Sequence, residues 1–221
     1  MTYKRTLLII GILIAVTLLF WYSLSLQEAF YDIVSFFEVY VRQNEILGIL
    51  VFILTAALAA MVSPFTNLPL IPVAVALWGT ALTALLLLGG WLLGAAIAYF
   101  IGYYVGYPAV RYVISAERFD VWLREVRVHT SFFMMFLLRL ALPAELGYAF
   151  GFIRYPFWKY VLLTFLAELP FVIITTYASE SIILGEQLRF FGLIALAGVI
   201  FFGAFYFVRK PTPHGVDRAP L

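Results

Sequence analysis

Residues Thr80–Val105 read TALTALLLLGGWLLGAAIAYFIGYYV, a stretch of 26 residues without a single charge. As an α-helix this stretch rises about 39 Å, at about 1.5 Å per residue, and the hydrocarbon core of a bilayer is about 30 Å thick. A helix satisfies its own backbone hydrogen bonds, which lipid cannot do for it. The stretch therefore predicts a membrane-spanning helix and indicates the fold class of the whole chain.

Small residues recur at every fourth position of this span and share one face of the predicted helix. They are Gly90, Gly94, Ala98, Gly102 and Gly106. Hydrophobic burial does not drive helices together in lipid, so close backbone approach over small side chains takes its place. The pattern predicts that another helix packs against this face.

The composition extends this interpretation to the whole chain. Of 221 residues, 65% are hydrophobic and 12% are charged, with a mean hydropathy of +1.03, whereas soluble domains carry about 25% charged residues. The apolar runs are continuous rather than alternating, so they predict an all-α integral membrane protein. The chain has no cysteine, which excludes disulfides and a thiol nucleophile. His129 and His214 are single and distant, so neither a metal site nor a cofactor is expected.

Upstream of the span, residues 46–79 predict a helical hairpin. An apolar run is interrupted by a segment that contains Pro64, Pro69 and Pro72, and apolar sequence then resumes as far as Gly79. Proline removes a backbone donor and breaks a helix, yet no charged residue marks a return to water. The segment therefore predicts two short helices that dip into the membrane and leave on the same side.

Residues 130–154 predict a second hairpin of the same kind. Its first apolar run contains Arg139 and ends at Pro143. The run of about 12 residues would rise roughly 18 Å, which is too short to cross a bilayer. A second short run ends at Gly151.

The charge distribution supports two re-entrant hairpins. Four transmembrane helices then remain, at 6–26, 80–105, 157–178 and 190–208. With the N-terminus in the cytoplasm, eleven basic residues lie inside and two lie outside, a strong positive-inside bias. The eleven are Lys4, Arg5, Arg111, Arg118, Arg124, Arg127, Arg154, Lys159, Arg209, Lys210 and Arg218, and the two are Arg42 and Arg189. Six plain spans would reduce this ratio to seven against six.

The predicted organisation is an inverted repeat. Residues 1–45 hold a signal anchor and an interfacial helix, and a cleaved signal peptide is the alternative for the anchor. A membrane domain at 46–180 pairs each hairpin with one long span, an arrangement typical of transporters. A second interfacial segment, 107–129, joins its halves. Residues 181–210 form the last transmembrane helix, and 211–221 form a Pro-rich disordered tail.

This pattern resembles the DedA family, also described as the SNARE-associated Golgi protein or VTT-domain superfamily. The first half carries the resemblance in Pro69-Leu70-Ile71-Pro72, in Trp78-Gly79 and in the glycines of the following span. The second half carries it in FLLRLALP at 136–143, in Tyr148-x2-Gly151 and in Glu168-Leu169-Pro170. The resemblance covers about residues 46–180. It implies two re-entrant hairpins that meet near the membrane midplane.

The resemblance also implies work on lipids. It implies flipping of undecaprenyl phosphate or of phosphatidylethanolamine-like lipids in bacteria and archaea, and scrambling in eukaryotes. The sequence departs from the family in two places. Ser63–Gly79 lacks the acidic residues that members typically carry around the first hairpin, and Glu145 stands near the position of a second arginine. The chain therefore resembles a divergent branch of the superfamily.

Four polar residues in apolar surroundings form the candidate site: Arg139, Glu145, Glu168 and Asn67. An unpaired charge there costs roughly 2.5–3.5 kcal/mol. Arg139 is therefore predicted either to bind a lipid phosphate through its bidentate fork or to pair structurally with one of the two carboxylates. Each of the two carboxyl groups is predicted to carry protons or to have a structural role. The structural alternative is an interfacial residue at the hairpin tip for Glu145 and an ion-pair partner of Arg139 for Glu168. Asn67 either contacts a head group or caps a helix end.

The predicted function is a membrane lipid transporter of the flippase or scramblase type. Its expected partners are membrane lipids with anionic head groups, with no nucleic acid, and an oligomer is compatible with the sequence. The alternatives are a proton- or ion-coupled transporter of small solutes, a structural assembly factor and an intramembrane enzyme. No Ser-based motif, His cluster or cysteine supports the enzyme, so no catalytic residue is expected. The expected location is the plasma or inner membrane, multi-pass, with both termini cytoplasmic.

The charge count places residues 107–129 in the cytoplasm, and cysteine labelling tests this. Because the chain has no native cysteine, Arg118→Cys introduces a single thiol. A membrane-impermeant maleimide should label this variant only after the cells are permeabilised, whereas Arg42→Cys, the matched control, should react in intact cells. Equal labelling of both variants in intact cells would overturn the predicted topology.

Overall fold

The computed structural model describes residues 44–62, 67–106, 132–141 and 146–209, with isolated positions between 28 and 43 and at 120 and 123. All regular structure in these residues is helical, which confirms an all-α protein. The helices are Glu45–Met61 (α1), Leu70–Trp78 (α2), Thr80–Tyr104 (α3), Phe132–Ala141 (α4), Leu146–Phe152 (α5), Phe157–Ile183 (α6) and Gln187–Arg209 (α7).

Three of the described helices, α3, α6 and α7, are long and apolar enough to cross a membrane, while α1 and α4 are apolar but shorter. This confirms a multi-pass membrane protein. The fourth predicted span, 6–26, lies outside the described residues. The same holds for Pro64, Pro143, most of 107–129 and the predicted tail at 211–221.

The chain divides into two compact units, residues 1–48 and residues 49–221. In the first unit, the described positions between 28 and 43 are helical. Asn44 caps the start of α1, because its Oδ1 accepts a 3.1 Å hydrogen bond from the Leu47 N–H. The second unit contains the rest of α1 and all the other helices.

Helices α3 and α6 pack antiparallel. At one end, the Thr80 hydroxyl donates a 2.6 Å hydrogen bond to Glu180, near the end of α6. At the other end, Tyr99 stacks on Tyr160, near the start of α6, with ring centroids 5.2 Å apart. Helix α6 also contacts α2, α4 and α7. It is therefore the helix that the others share.

The two pairs of short helices pack against different halves of α3 and α6. Helices α1 and α2 join the first half of α3 and the second half of α6 in one cluster, where Leu87 and Val172 are buried. Helices α4 and α5 join the second half of α3 and the first half of α6 in another, where Tyr99 and Leu163 are buried. Each hairpin segment is thereby held by both long helices.

Glycines set the distance between α3 and α1. A Cβ on Gly94 would overlap the backbone of Ala57, and a Cβ on Gly90 would lie 2.6 Å from the Cβ of Ala56. Because any larger residue would separate the two backbones, glycine is required for this contact. The dispersion contacts that hold α1 on α3 depend on it.

Helices α3 and α5 approach each other equally closely. Gly102 of α3 faces the backbone of Tyr148, and Gly151 of α5 faces the backbone of Tyr99, and a Cβ at either glycine would overlap a carbonyl oxygen. Gly151 is helical, whereas Gly79, the other glycine predicted to end a hairpin, is a turn residue. The two glycines therefore have different structural roles.

Gly79 alone separates α2 from α3. Its φ of +79° and ψ of 165° lie in a region that is nearly closed to other residues. Its N–H bonds to the Val75 carbonyl at 2.9 Å to end α2, and its carbonyl accepts from the Thr83 N–H at 3.1 Å to begin α3. Glycine allows one residue to end one helix and start the next.

Two boundaries differ from the sequence-based prediction. Pro72, expected to interrupt the helix, lies in the first turn of α2, where a missing N–H costs no intrahelical hydrogen bond. The break therefore ends at Pro69, which precedes α2 with a φ of −65°.

The helix ends predicted by the spans 157–178 and 190–208 are also wrong, because α6 continues to Ile183 and α7 begins at Gln187. Ser179 and Ser181 donate hydrogen bonds of 2.8 and 2.9 Å to carbonyls four residues earlier. Their hydroxyls are thus satisfied inside the helix, and polarity does not end it.

Two glycines of α3 provide a matched test of this packing. Gly94→Leu places a side chain into the backbone of α1, whereas Gly89 is exposed and a Cβ there meets nothing within 4 Å. Overpacking typically costs about 1–3 kcal/mol or more. The melting temperature of the detergent-solubilised protein should therefore fall for Gly94→Leu and stay near wild type for Gly89→Leu. Equal melting temperatures would contradict the packing argument.

Candidate functional site

The site is centred on Arg139, in the last turn of α4. Its Nη2 donates a 2.5 Å hydrogen bond to Oε1 of Glu168, which lies in the middle of α6. The Arg139 side chain is 3% exposed and that of Glu168 is 13% exposed. Of the predicted polar residues, these two are brought together. Each charge offsets the cost of burying the other.

Glu168 belongs to a stripe of polar residues along one side of α6. Tyr160, Thr164 and Glu168 follow one another at intervals of four residues, so they share one side of the helix. Tyr160 and Thr164 are each 1% exposed. Both Arg139 and Glu168 lie within electrostatic range of the Tyr160 hydroxyl. The stripe escaped the sequence analysis, although its spacing of four was a readable signal.

One polar atom of this α4–α6 interface, the Nε of Arg139, has no hydrogen-bond partner among the described residues. The hydroxyl of Thr164 donates to no backbone carbonyl of the described residues and lies within reach of the Tyr160 hydroxyl. The hydroxyls in the second half of α6 behave differently, because Thr175, Thr176 and Ser179 all donate to carbonyls of their own helix. A buried unpaired polar group is costly. The interface can therefore accept a further polar group, such as an oxyanion.

Pro170 adds to the polarity of this region. It lies inside α6, two residues after Glu168. Because proline has no N–H, it cannot donate to the carbonyl of Leu166, four residues earlier. A backbone acceptor is thus freed within one helical turn of the ion pair.

Tyr148 connects the two hairpin segments. It is fully buried, and its hydroxyl donates a 3.2 Å hydrogen bond to the carbonyl of Met61, the last residue of α1. The end of α1 and the short helix α5 therefore meet within one hydrogen bond. In the sequence, Tyr148 is part of the Tyr148-x2-Gly151 motif only. A single hydroxyl in a short apolar helix was the signal for this role.

Asn67 forms its hydrogen bond with Trp91 rather than with either residue of the ion pair. It is 4% exposed, and its Oδ1 accepts a 3.4 Å hydrogen bond from the indole N–H of Trp91 on α3. Its Nδ2 has no partner within the described part of the chain. Its side chain does not cap α2, because that helix begins without a side-chain cap. Glu145, the remaining candidate, lies outside the described residues.

The described residues contain no group of three or more His, Asp or Glu that could hold a metal ion. The polar groups brought together are a guanidinium, a carboxylate and two hydroxyls. A guanidinium and hydroxyls can donate hydrogen bonds to an anion, and a carboxylate can take up a proton.

Removing one charge of the pair should destabilise the protein. Glu168→Leu leaves Arg139 buried without its counter-ion, at a cost of roughly 3–5 kcal/mol, and should lower the melting temperature in detergent. The double variant Arg139→Leu/Glu168→Leu should recover most of the loss. Glu186→Gln is the control, because its ion pair with Arg189 is exposed and screened by solvent. A Glu168→Leu variant that melts like wild type would show that the pair is not needed for stability.

Comparison with known proteins places the chain in a family. The family model of the VTT domain matches residues 65–181, more than half of the chain. The match covers α2 to α5 and nearly all of α6, with both Arg139 and Glu168. No curated protein and no solved structure matches the chain. The chain therefore belongs to the VTT-domain family, the domain of the DedA and SNARE-associated proteins.

Proposed function

We propose that this protein moves a lipid with an anionic head group between the two leaflets, as a flippase or scramblase, and that Arg139 binds the head-group phosphate. The observation that carries the proposal is the buried Arg139–Glu168 ion pair, in which the Nε of the arginine has no partner in the described part of the chain. Intramembrane charges of this kind usually mark a substrate or proton pathway. The family is membrane-associated, in agreement with this role.

The proposal includes two re-entrant hairpins, formed by α1–α2 and α4–α5, and four transmembrane helices. Helices of 17, 9, 10 and 7 residues are each shorter than the roughly 20 residues that a crossing needs. The antiparallel α3 and α6, each preceded by one hairpin, supply the inverted repeat. The hydrogen bond from Tyr148 to Met61 supports hairpins that meet inside the membrane. The basic residues favour cytoplasmic termini in a plasma or inner membrane.

The ion pair provides a mechanism for a charged head group to enter an apolar region. When the site is empty, Glu168 neutralises Arg139. When a lipid phosphate arrives, the guanidinium exchanges one anionic partner for another through its planar fork. The hydroxyl of Thr164 can donate to a further phosphate oxygen. The acyl chains remain in the bilayer, along exposed apolar side chains of α1 and α6 such as Leu58 and Leu162.

A proton-coupled transporter is the second candidate, and the partial exposure of Glu168 favours it. A carboxylate that loses its arginine to a phosphate remains buried as a charge and gains from taking up a proton. Movement of lipid that depends on a pH gradient would combine the two candidates. Proton flux without lipid movement would favour small-solute transport instead. Neither process converts its substrate into a chemically different product, so we propose that the protein is not an enzyme.

Arginine geometry is the basis of the main functional prediction. Arg139→Lys keeps the charge but loses the bidentate contact, so lipid movement should slow by roughly tenfold or more, the effect of losing a charged hydrogen bond. Arg139→Ala should slow it further. The measurement is bleaching of fluorescent lipids by dithionite in proteoliposomes, at matched protein levels and across several head groups.

Two controls make this assay decisive. Arg189→Lys changes an exposed arginine in another ion pair and should leave the rate unchanged. Arg139→Ala/Glu168→Gln removes both charges, so it tests the site without leaving a buried carboxylate alone. Wild-type rates in a folded Arg139→Ala variant or in this double variant would refute the role of Arg139 in lipid binding.

A further inference from the structure

A cavity lies where α3 ends and α6 begins. Its volume is about 360 Å³, and Arg139 does not line it. Apart from Arg154 and Pro156, the described residues of its wall are aromatic, and they include Phe100, Tyr103, Tyr104, Tyr155 and Phe157. None of the described residues that line it is acidic. The cavity therefore favours an anion over a cation.

Arg154 is held in place by an aromatic ring. Its guanidinium carbon lies 5.2 Å from the centroid of the Tyr103 ring, which is cation–π distance. Arg154 is exposed, and none of the described carboxylates lies within ion-pair distance of it. Stacking occupies the face of the guanidinium and leaves its N–H edge for a ligand.

The backbone of Arg154 is in a conformation that disfavours arginine. Its φ is +57°, and it has the only positive φ among the described residues other than glycine. It follows the end of α5, where the Tyr155 N–H bonds back to Phe150 and the Arg154 N–H bonds back to Gly151. Glycine is the usual residue at such a helix end. An arginine here accepts backbone strain, which indicates a role for its side chain.

Further hydrogen-bond donors surround the guanidinium. Tyr155 lines the cavity. Its backbone carbonyl accepts a 2.5 Å hydrogen bond from the Tyr99 hydroxyl, which holds the residue in place. Burial raises the pKa of the Tyr155 hydroxyl above its usual value of 10.0, so the hydroxyl stays protonated. Tyr103 and Tyr104 bring two more hydroxyls to the wall. One cation and several hydroxyls match an anion with several oxygens.

The surroundings of the cavity favour a lipid as the source of this anion. The cavity lies at the ends of two membrane-spanning helices, where a bilayer meets water. Tyr104 is 76% exposed and Trp158 is 79% exposed, as expected for aromatic residues at that boundary. Phe100 is 40% exposed on the apolar side. A head group in the cavity would thus continue into acyl chains beside α3.

We propose that Arg154 and the surrounding tyrosines form a binding site for the phosphate of a membrane phospholipid, separate from the Arg139 site. The site holds the lipid at the membrane boundary. It depends on the membrane setting of the protein and does not depend on transport.

Binding in detergent tests the proposal directly. The probe is dihexanoyl phosphatidic acid, whose adducts are counted by native mass spectrometry, and the comparison probes are glycerol 3-phosphate and dihexanoylglycerol. At concentrations that saturate wild type, Arg154→Gln should hold one phosphatidic acid fewer. Lys159→Gln should bind as wild type does, because Lys159 is exposed nearby but does not line the cavity. Neither comparison probe should bind at the same concentration.

Arg154→Gly separates binding from folding. Glycine relieves the strain at φ +57°, so this variant should melt at or above the wild-type temperature while losing the same lipid. Wild-type binding by either Arg154 variant would overturn the proposal, as would equal loss in Lys159→Gln. If glycerol 3-phosphate bound as well as the lipid, the cavity would be a site for soluble phosphate. If dihexanoylglycerol bound as well, the cavity would be an apolar groove. Either result would overturn the proposal of a lipid-phosphate site. Lipid transport is measured separately, with the Arg139 variants. The binding site at Arg154 and the transport role of Arg139 can therefore each be refuted without the other.

Discussion

Close approach of helix backbones is the constraint on which the rest of this structure depends. Lipid offers no hydrophobic force between helices, so their association relies on contact area and on polar groups. Gly90 and Gly94 let α1 reach the backbone of α3, and Gly102 and Gly151 do the same for α5. The shorter helices α1 and α5 are thereby fixed on α3. Without these contacts, the ends of α1 and α5 would not meet.

The ion pair depends on this packing. Arg139 is on a 10-residue helix and Glu168 on a 27-residue helix, and only the contact between α4 and α6 joins them. A tight apolar frame raises the cost of either charge alone, and it makes their mutual attraction stronger than it would be in water. The same frame leaves the Arg139 Nε without a described partner. The stability of the protein and the anion binding that we propose for it therefore depend on the same few atoms.

Polar groups occupy two levels of the structure. Midway along α6 the charges of Arg139 and Glu168 are paired and buried, as expected where lipid cannot solvate them. At the ends of α3 and α6 the charges are exposed and stacked on aromatic rings, as with Arg154 on Tyr103 and Arg189 on Tyr177. A lipid head group normally occupies the second level and must cross the first to change leaflets. This two-level arrangement is the physical basis of the transport function that we propose.

The sequence by itself determined the all-α membrane class, the span at Thr80 and the family, and it placed Arg139 and Glu168 among four polar candidates. These conclusions depend on local properties, namely uninterrupted apolarity, a four-residue spacing of small residues and the rarity of charge in apolar runs. Only the tertiary structure decided that Arg139 meets Glu168, that Tyr148 bonds to Met61 and that α6 continues through its serines to Ile183. The physical reason is that uniformly apolar helices do not show which of their faces will pack. Partners far apart in the chain are chosen by backbone contact, which no single segment encodes.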